Sequence, residues 1–527
     1  MKDIALPVLG NKEEELLTTR LRKVARELAD QVDYTTVPVY TWSHSCKLIV
    51  GGVEEPCIHL PYTSALEESF SPLDVLAGSY EDLARKDVEG KVVALSYPHS
   101  YVELRLIAYS LARRKPRLVV LTPGDYLKAD VLLGTPGVSD APTVPLPTCV
   151  IAVKSSTLKK MFSSRFEVVA RSKLVDGKGR VVITRINGPG EREAHVVLHH
   201  DSLLSTGLTG KSSFAERALR LLLEKLKTQE PPLNIVVASY TAREAGDYFF
   251  TEYHYTWGER YVLSTLWSKG LLDRVSYAVA LGPLHEGGQL HIHAHPVLAD
   301  SLRDLVARLD YNHLFMESHH YVEYGVPALT ITTLPETWHI HNSSMQAELS
   351  NSFLSSAVDV AVEAFKRLSR SELSLEKIRR YLYASLGEAM LEVRTSISRL
   401  LDAAALYEEN SVREFTRASY AVAGAACTNP VAATVLADLA APLHRAFVEG
   451  ISKVMSSCRG EVLVMTRECT RHVLPHEPST RRLVEGYIEY WLKGIEANIK
   501  ELVMRKVAYS YLRGEQCGVE EHRDKQV

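Results

Sequence analysis

The stretch His195-Val196-Val197-Leu198-His199-His200-Asp201-Ser202 is an apolar run that ends in polar side chains. The same grammar returns in Leu233 to Ser239, followed by Thr241-Ala242-Arg243-Glu244-Ala245-Gly246. Short apolar runs bounded by turn residues read as buried strands. Val275 to Leu281 and Ala328 to Thr332 add two more, and Phe214 to Lys227 has helical spacing between the first pair. This alternation predicts an α/β fold, a central mixed β-sheet covered on both faces by helices. Ligands of such sheets sit at the carboxyl ends of strands, where both polar tails fall.

The tails carry a recognisable chemistry. In His-x-Asp at a strand end, the two side chains point to the same side. The imidazole can then bind a metal while the carboxylate accepts from its other ring nitrogen and fixes the tautomer. His199 and Asp201 have that spacing. A hydrolytic two-metal site also needs a bridging carboxylate and a general base beside the bound water.

Outward from this core, residues 13–31 place Leu16, Leu17, Leu21, Val24 and Leu28 at helical spacing, which predicts an amphipathic helix. Lys47-Leu48-Ile49-Val50 before Gly51-Gly52 reads as a strand. Lys91 to Leu95, Arg117 to Thr122 and Val150 to Val153 read as strands of a smaller α/β unit, with a helix over 101–113. Asp176-Gly177 carries a hairpin-turn signal. Beyond about residue 370 the segments 374–407, 411–427, 431–457 and 479–513 are long and periodic, and predict a helical domain. The last ten residues read as a frayed tail.

The region 181–350 resembles the family of zinc aminopeptidases that includes glutamate carboxypeptidase and the transferrin receptor. His199, Asp201 and Ser202 match its His-x-Asp-Ser, and Thr241, Glu244 and Gly246 match its Thr-x-Glu-Glu-x-Gly. Asn312-His313-Leu314-Phe315 and Gly325-Val326-Pro327-Ala328 match a later helix and strand, with His341 or His339 at the last metal position. The resemblance implies an N-terminal part of the peptidase-like domain over 1–58. It further implies a protease-associated or apical domain over 59–180, the zinc-exopeptidase-like domain over 181–370, and a helical domain over 371–527. It also implies zinc held by His199, Glu244 and His341 (or His339), with Asp201 beside them.

The departures change the expected activity. The family's general-base position holds Arg243. A guanidinium has donors only and stays protonated, so it is no base. The family's bridging aspartate faces 207–213 here, which has no acid, and its next aspartate faces Leu281-Gly282-Pro283. Two divalent ions need several carboxylates to offset their repulsion. The expectation is therefore an eroded site, with Arg243 pairing Glu244 as a structural ion pair, in a protein impaired in peptide hydrolysis that acts through binding or assembly. The alternative is an active metallo-aminopeptidase with one zinc on His199, Glu244 and His341 and a base such as Asp201 or Asp247. Surplus histidines (His200, His285, His313, His319, His320) give this rescue material. His291, His293 and His295 alternate along one strand face, a potential metal trio or a solvated face.

Composition bounds the remaining classes. A net charge of −3 gives no electrostatic case for nucleic acid or an anionic membrane. No apolar run nears the roughly 20 residues of a membrane helix, and the start of the sequence lacks a secretory apolar core. The seven scattered cysteines argue against a disulfide framework, and Cys149 is expected to be buried. The expected picture is a reduced, cytoplasmic protein, binding no nucleic acid and no membrane. Its partners would be a peptide or protein ligand and a second copy, joined through the C-terminal helices. A nucleotide site at 207–212 is not expected, because the phosphate-loop glycine spacing is missing.

Overall fold

The computed structural model describes residues 12–60, 63–79, 82–83, 85–96, 111–112, 114–122, 124, 146–201, 214–229, 231–243, 246, 256–310, 316–324, 326–333 and 349–371. In chain order the strands are β1 (Gln31–Val50), β2 (Val53–Glu55), β3 (Cys57–His59), β4 (Leu66–Phe70), β5 (Val75–Ala77), β6 (Val92–Ser96), β7 (Leu118–Thr122) and β8 (Cys149–Val153). There follow β9 (Phe166–Ile186), β10 (Glu193–His199), β11 (Asn234–Tyr240), β12 (Val275–Leu281), β13 (His291–Ala294), β14 (Arg308–Asp310) and β15 (Ala328–Thr332).

Among the described residues ten strands form one mixed sheet in the order β14-β13-β15-β12-β10-β11-β9-β1-β2, with β4 also paired to β9. Its centre is parallel: β10 lies between β11 and β12, and β12 beside β15. Alternation along each central strand sends side chains to two separate cores. Val197, Ala238, Tyr240, Ala278, Ala280 and Ala328 meet the helix Trp257–Ser268 on one face. Val196, Leu198, Val237, Val279, Leu281 and Ile331 meet the helices Lys12–Leu28, Phe214–Lys227 and Asn351–Leu368 on the other. The chain therefore leaves β10 for β11 over one face and leaves β11 for β12 over the opposite face. The point where the strand order reverses lies at the carboxyl ends of β10 and β12.

The helix Phe214–Lys227 runs over the residues expected, burying Phe214, Ala215, Ala218, Leu219, Leu222, Leu223 and Leu226 at a spacing of three and four. In the first helix Leu17, Leu21 and Val24 are buried as the pattern requires, whereas Leu16 faces solvent at 62% exposure.

A second, five-stranded sheet has the order β3-β8-β7-β6-β5. One of its faces (Val93, Leu95, Val119, Leu121) joins the core under β1 and the helix Trp257–Ser268. Its other face (Val92, Ala94, Leu118, Val120) packs with Leu48, Val50, Phe166 and Val168 from the far end of β1 and β9. Cys46 on β1 and Cys57 on β3 are disulfide-bonded, tying the two sheets together. This corrects the expectation of wholly reduced cysteines. The pairing is a matter of three-dimensional proximity that spacing does not reveal. Cys149 is buried as expected, at 1% exposure, and burial pushes its thiol up to about 12.

Asp176-Gly177 is not a turn. Both residues lie inside β9, where they pair with Tyr40 and Val39 of β1. The neighbouring Gly179 explains the composition of this stretch. A Cβ there would come within 2.6 Å of the Thr241 side chain and 3.1 Å of Val39, so the glycine marks a close approach rather than a bend. The helix expected over 101–113 and all four segments beyond residue 373 lie outside the described residues, apart from 111–112. Among the described residues no helix is long and apolar enough to cross a membrane.

Candidate functional site

The carboxyl ends of β10 and β11 place His199, His200, Asp201 and Arg243 side by side. His199 stands opposite Tyr240 in the ladder, and the backbone N–H of His200 donates to the Tyr240 carbonyl at 3.1 Å. Beyond Tyr240 the chain turns sharply. Ala242 adopts φ +57°, a left-handed conformation that costs an L-residue about 1–3 kcal/mol and collects at functional sites. The turn is held by the N–H groups of Thr256 and Trp257, which donate to the Arg243 and Ala242 carbonyls at 2.7 and 2.8 Å. Gly258 allows this approach, since a Cβ there would strike the Thr241 carbonyl.

Arg243 is thereby turned into the protein. Its Nε donates to Glu317 Oε1 at 2.8 Å, and both side chains are buried, at 7% and 1% exposure. The position of Glu317 is set by a glycine. A Cβ on Gly282 would lie 2.5 Å from Glu317 Oε2 and 2.8 Å from Thr330 Cγ2. The family's aspartate is expected near this glycine, and the space is taken by a glutamate from another segment. Asp201 does not hold the imidazole of His199. Its carboxylate accepts from the backbone N–H of Arg243, at 3.2 and 3.3 Å to its two oxygens.

His199 is almost wholly buried, and neither of its ring nitrogens has a hydrogen-bond partner. Glu259, also buried, brings Oε2 to 3.7 Å from His199 Nε2. Burial first, then the charge of Arg243, then His200 and His320, hold His199 well below the usual imidazole range, so it is neutral. His200 is oriented by Ser239, 3.0 Å from its Nδ1, while Glu14 Oε1 lies 3.5 Å from its Nε2. Glu14 comes from the first helix and accepts from the Arg180 N–H and from Thr241 Oγ1, both at 2.8 Å.

The two-zinc expectation can be tested on this donor chemistry. Structural and catalytic zinc needs three or four donors within about 2.0–2.3 Å. Among the described residues no three His, Cys, Asp or Glu side chains converge in that way. Glu317 is engaged by Arg243, and the guanidinium repels a cation as it repels a proton on His199. The described donors do not fit a dinuclear zinc site. The other expected ligands, Glu244 and His341 or His339, lie outside the described residues, as do His313, Asp247 and the 207–213 stretch.

The structure brings together His199, Asp201 and Arg243 from the expected set. It gives Arg243 a partner, Glu317, that no motif announced; no spacing rule links residues 74 apart. Glu259 and Glu14 were likewise unmarked in the sequence. The alternating histidines of β13 are not a solvated face. His291 and His293 on β13 and His295 just after it are all fully buried. His295 caps the next helix, its Nδ1 accepting from the Val297 N–H at 3.2 Å.

No protein-family model matches the chain, and no curated protein matches it. Solved structures do. A peptidase M28 precursor from Shewanella amazonensis SB2B superposes with a TM-score of 0.51 at 14% identity, covering 71% of this chain and 92% of its own. A zinc aminopeptidase from Bacillus subtilis gives a TM-score of 0.50 at 13% identity, covering 70% and 93%. At such identity the likeness concerns the fold alone: this chain has the mixed α/β architecture, a large central sheet clothed in helices, of aminopeptidase-like proteins.

Proposed function

We propose that this chain is a zinc-exopeptidase-like protein whose cation pocket has been closed by an ion pair, so that it is impaired in peptide hydrolysis and works through binding or assembly. The observation that carries this reading is the buried contact of Arg243 with Glu317 at the position where a general base is expected. A guanidinium cannot take a proton from water, and its charge disfavours a divalent ion beside it. Asp201, a candidate base, is occupied with the Arg243 backbone. We further propose a protease-associated-like unit over 59–180 and a homodimer contact through 371–527, with a peptide or protein as ligand. The cytoplasmic location expected from cysteine usage stays a proposal, against which the Cys46–Cys57 disulfide now weighs.

A second reading has one observation in its favour. His199 is a neutral, buried imidazole whose two nitrogens lack hydrogen-bond partners, with the Glu259 carboxylate 3.7 Å away. Those are two donors a single zinc would use, and zinc there would polarise a bound carbonyl. The two readings part in a hydrolysis assay. The full chain is incubated with aminoacyl nitroanilides and short peptides, with and without added zinc or cobalt and with a chelator control. The proposal expects no turnover above the protein-free blank under any condition. Metal-dependent, chelator-sensitive turnover would overturn it in favour of the second reading.

A further inference from the structure

Away from the Arg243–Glu317 pair, four side chains form an unbroken polar line through the body of the molecule. Glu193 opens β10, and its Oε1 accepts from Arg185 Nη1 at 2.7 Å. Its Oε2 lies 3.3 Å from His195 Nε2. His195 Nδ1 lies 2.9 Å from Tyr321 Oη, and Tyr321 Oη lies 2.9 Å from Tyr240 Oη. His195, Tyr321 and Tyr240 are all buried. Tyr240 closes the line beside His199, with ring centroids 5.8 Å apart. We infer that Glu193, His195, Tyr321 and Tyr240 form a relay that carries the charge state of His195 to the His199 end of the sheet.

The number of protons available fixes the direction of each bond. Each tyrosine hydroxyl has one proton to donate. The Glu193 carboxylate accepts only, so the proton of a neutral His195 sits on Nε2, facing it. His195 Nδ1 must then accept, and Tyr321 donates to it. Tyr321 Oη in turn accepts from Tyr240, which leaves only lone pairs on the far side of the Tyr240 oxygen. When His195 takes up a second proton, Nδ1 donates to Tyr321, Tyr321 donates to Tyr240, and the Tyr240 hydroxyl proton is released to point away. One protonation thus reverses both hydroxyl bonds and turns the free side of Tyr240 from acceptor to donor.

The charged groups around the line favour this reversal. Glu193 faces His195 from its own strand, and Arg185 reaches it from β9 only through Glu193. Tyr321 faces it from the helix His319–Glu323, and Tyr240 from β11. At the far end, the negative charge of Glu259, on the helix Trp257–Ser268, acts on the Tyr240 phenol and favours its protonated form. Burial alone pushes the Glu193 carboxyl up, but its bonds to His195 and Arg185 outweigh this and bring it down to about 2. It therefore stays an acceptor in either charge state of His195. The relay is independent of whether the chain hydrolyses peptides.

The test is a pH titration of the full chain carrying 13C-ζ tyrosine and 13C-ε1 histidine, followed by NMR, with Tyr240→Phe and His195→Gln used to assign the two resonances. In the wild type, the Tyr240 signal is expected to move with the same midpoint as His195. In Tyr321→Phe, His195 still titrates and the accompanying movement of Tyr240 is lost. In His195→Gln it is lost too, which keeps the test available should the phenylalanine variant misfold. A Tyr240 signal that stays flat while His195 titrates would overturn the relay. So would tracking that survives in either variant, or a His195 that never titrates in the folded protein.

Discussion

Replacing Arg243 by methionine takes the guanidinium away from the Glu317 carboxylate in a site where only 1% of its side chain meets solvent. Breaking a buried pair from one side costs about 3–5 kcal/mol, because the remaining ion keeps its desolvation penalty and loses its counter-charge. Glu317→Leu should cost a similar amount, since Arg243 is itself only 7% exposed. The double variant Arg243→Met/Glu317→Leu removes both charges and keeps the volume, and apolar replacement of a whole buried pair is often neutral. It is therefore expected to be more stable than either single variant. The backbone N–H of Arg243 survives all three changes, so the Asp201 contact is not disturbed. Urea unfolding followed by circular dichroism, extrapolated to water, measures each value. Added salt should leave the pattern intact, because buried charges are poorly screened. Single variants costing under about 1 kcal/mol, or a double variant costing the sum of the singles, would refute the pair as the element that closes this pocket.

Other consequences are as direct. Gly282→Ala places a methyl group 2.5 Å from Glu317 Oε2. It should cost about 1–3 kcal/mol by overpacking, and a stability unchanged in urea unfolding would mean Glu317 is not seated there. Glu193, brought from 4.5 to about 2, should contribute about 3 kcal/mol that is present above pH 4.5 and lost as pH falls towards 2. Glu193→Gln should flatten that acid limb, and parallel pH–stability curves for the two proteins would contradict this. The Cys46–Cys57 disulfide closes a short loop, 11 residues apart. Its removal by a double serine substitution should cost about 3 kcal/mol in the chain-entropy picture, while buried Cys149 should resist alkylation until the protein unfolds. Mass spectrometry that finds Cys46 and Cys57 alkylated without reduction would count against the bond.

Much of the fold was legible in the sequence, and the reason is local. The runs Val275–Leu281 and Ala328–Thr332 and the helix Phe214–Lys227 carry their own periodicity, and each lies where it was expected. A parallel sheet buried on both faces writes itself as continuous apolar runs. Errors arose where a residue's role is set by something distant. Asp176-Gly177 has the chemistry of a turn, but a 20-residue partner strand offers an unbroken ladder and the chain stays extended. The alternating histidines in and just after β13 have the polarity of an exposed face, but all three are buried in the folded protein. The site follows the same rule. His199, Asp201 and Arg243 are near in sequence to strand ends and could be found, whereas Glu317, Glu259 and Glu14 arrive from other segments that carry no motif. The Glu244 that Arg243 was expected to pair with lies outside the described residues, and among the described ones its guanidinium meets Glu317, beyond the left-handed Ala242.

The most direct measurement is anomalous scattering at the zinc edge from crystals of the full chain grown with excess zinc. An occupied catalytic ion would sit about 2.0–2.1 Å from a His199 nitrogen. The account predicts no peak there, with Arg243 Nε still on Glu317. One or two well-ordered peaks beside His199, with Glu317 drawn off Arg243 to ligate them, would contradict it.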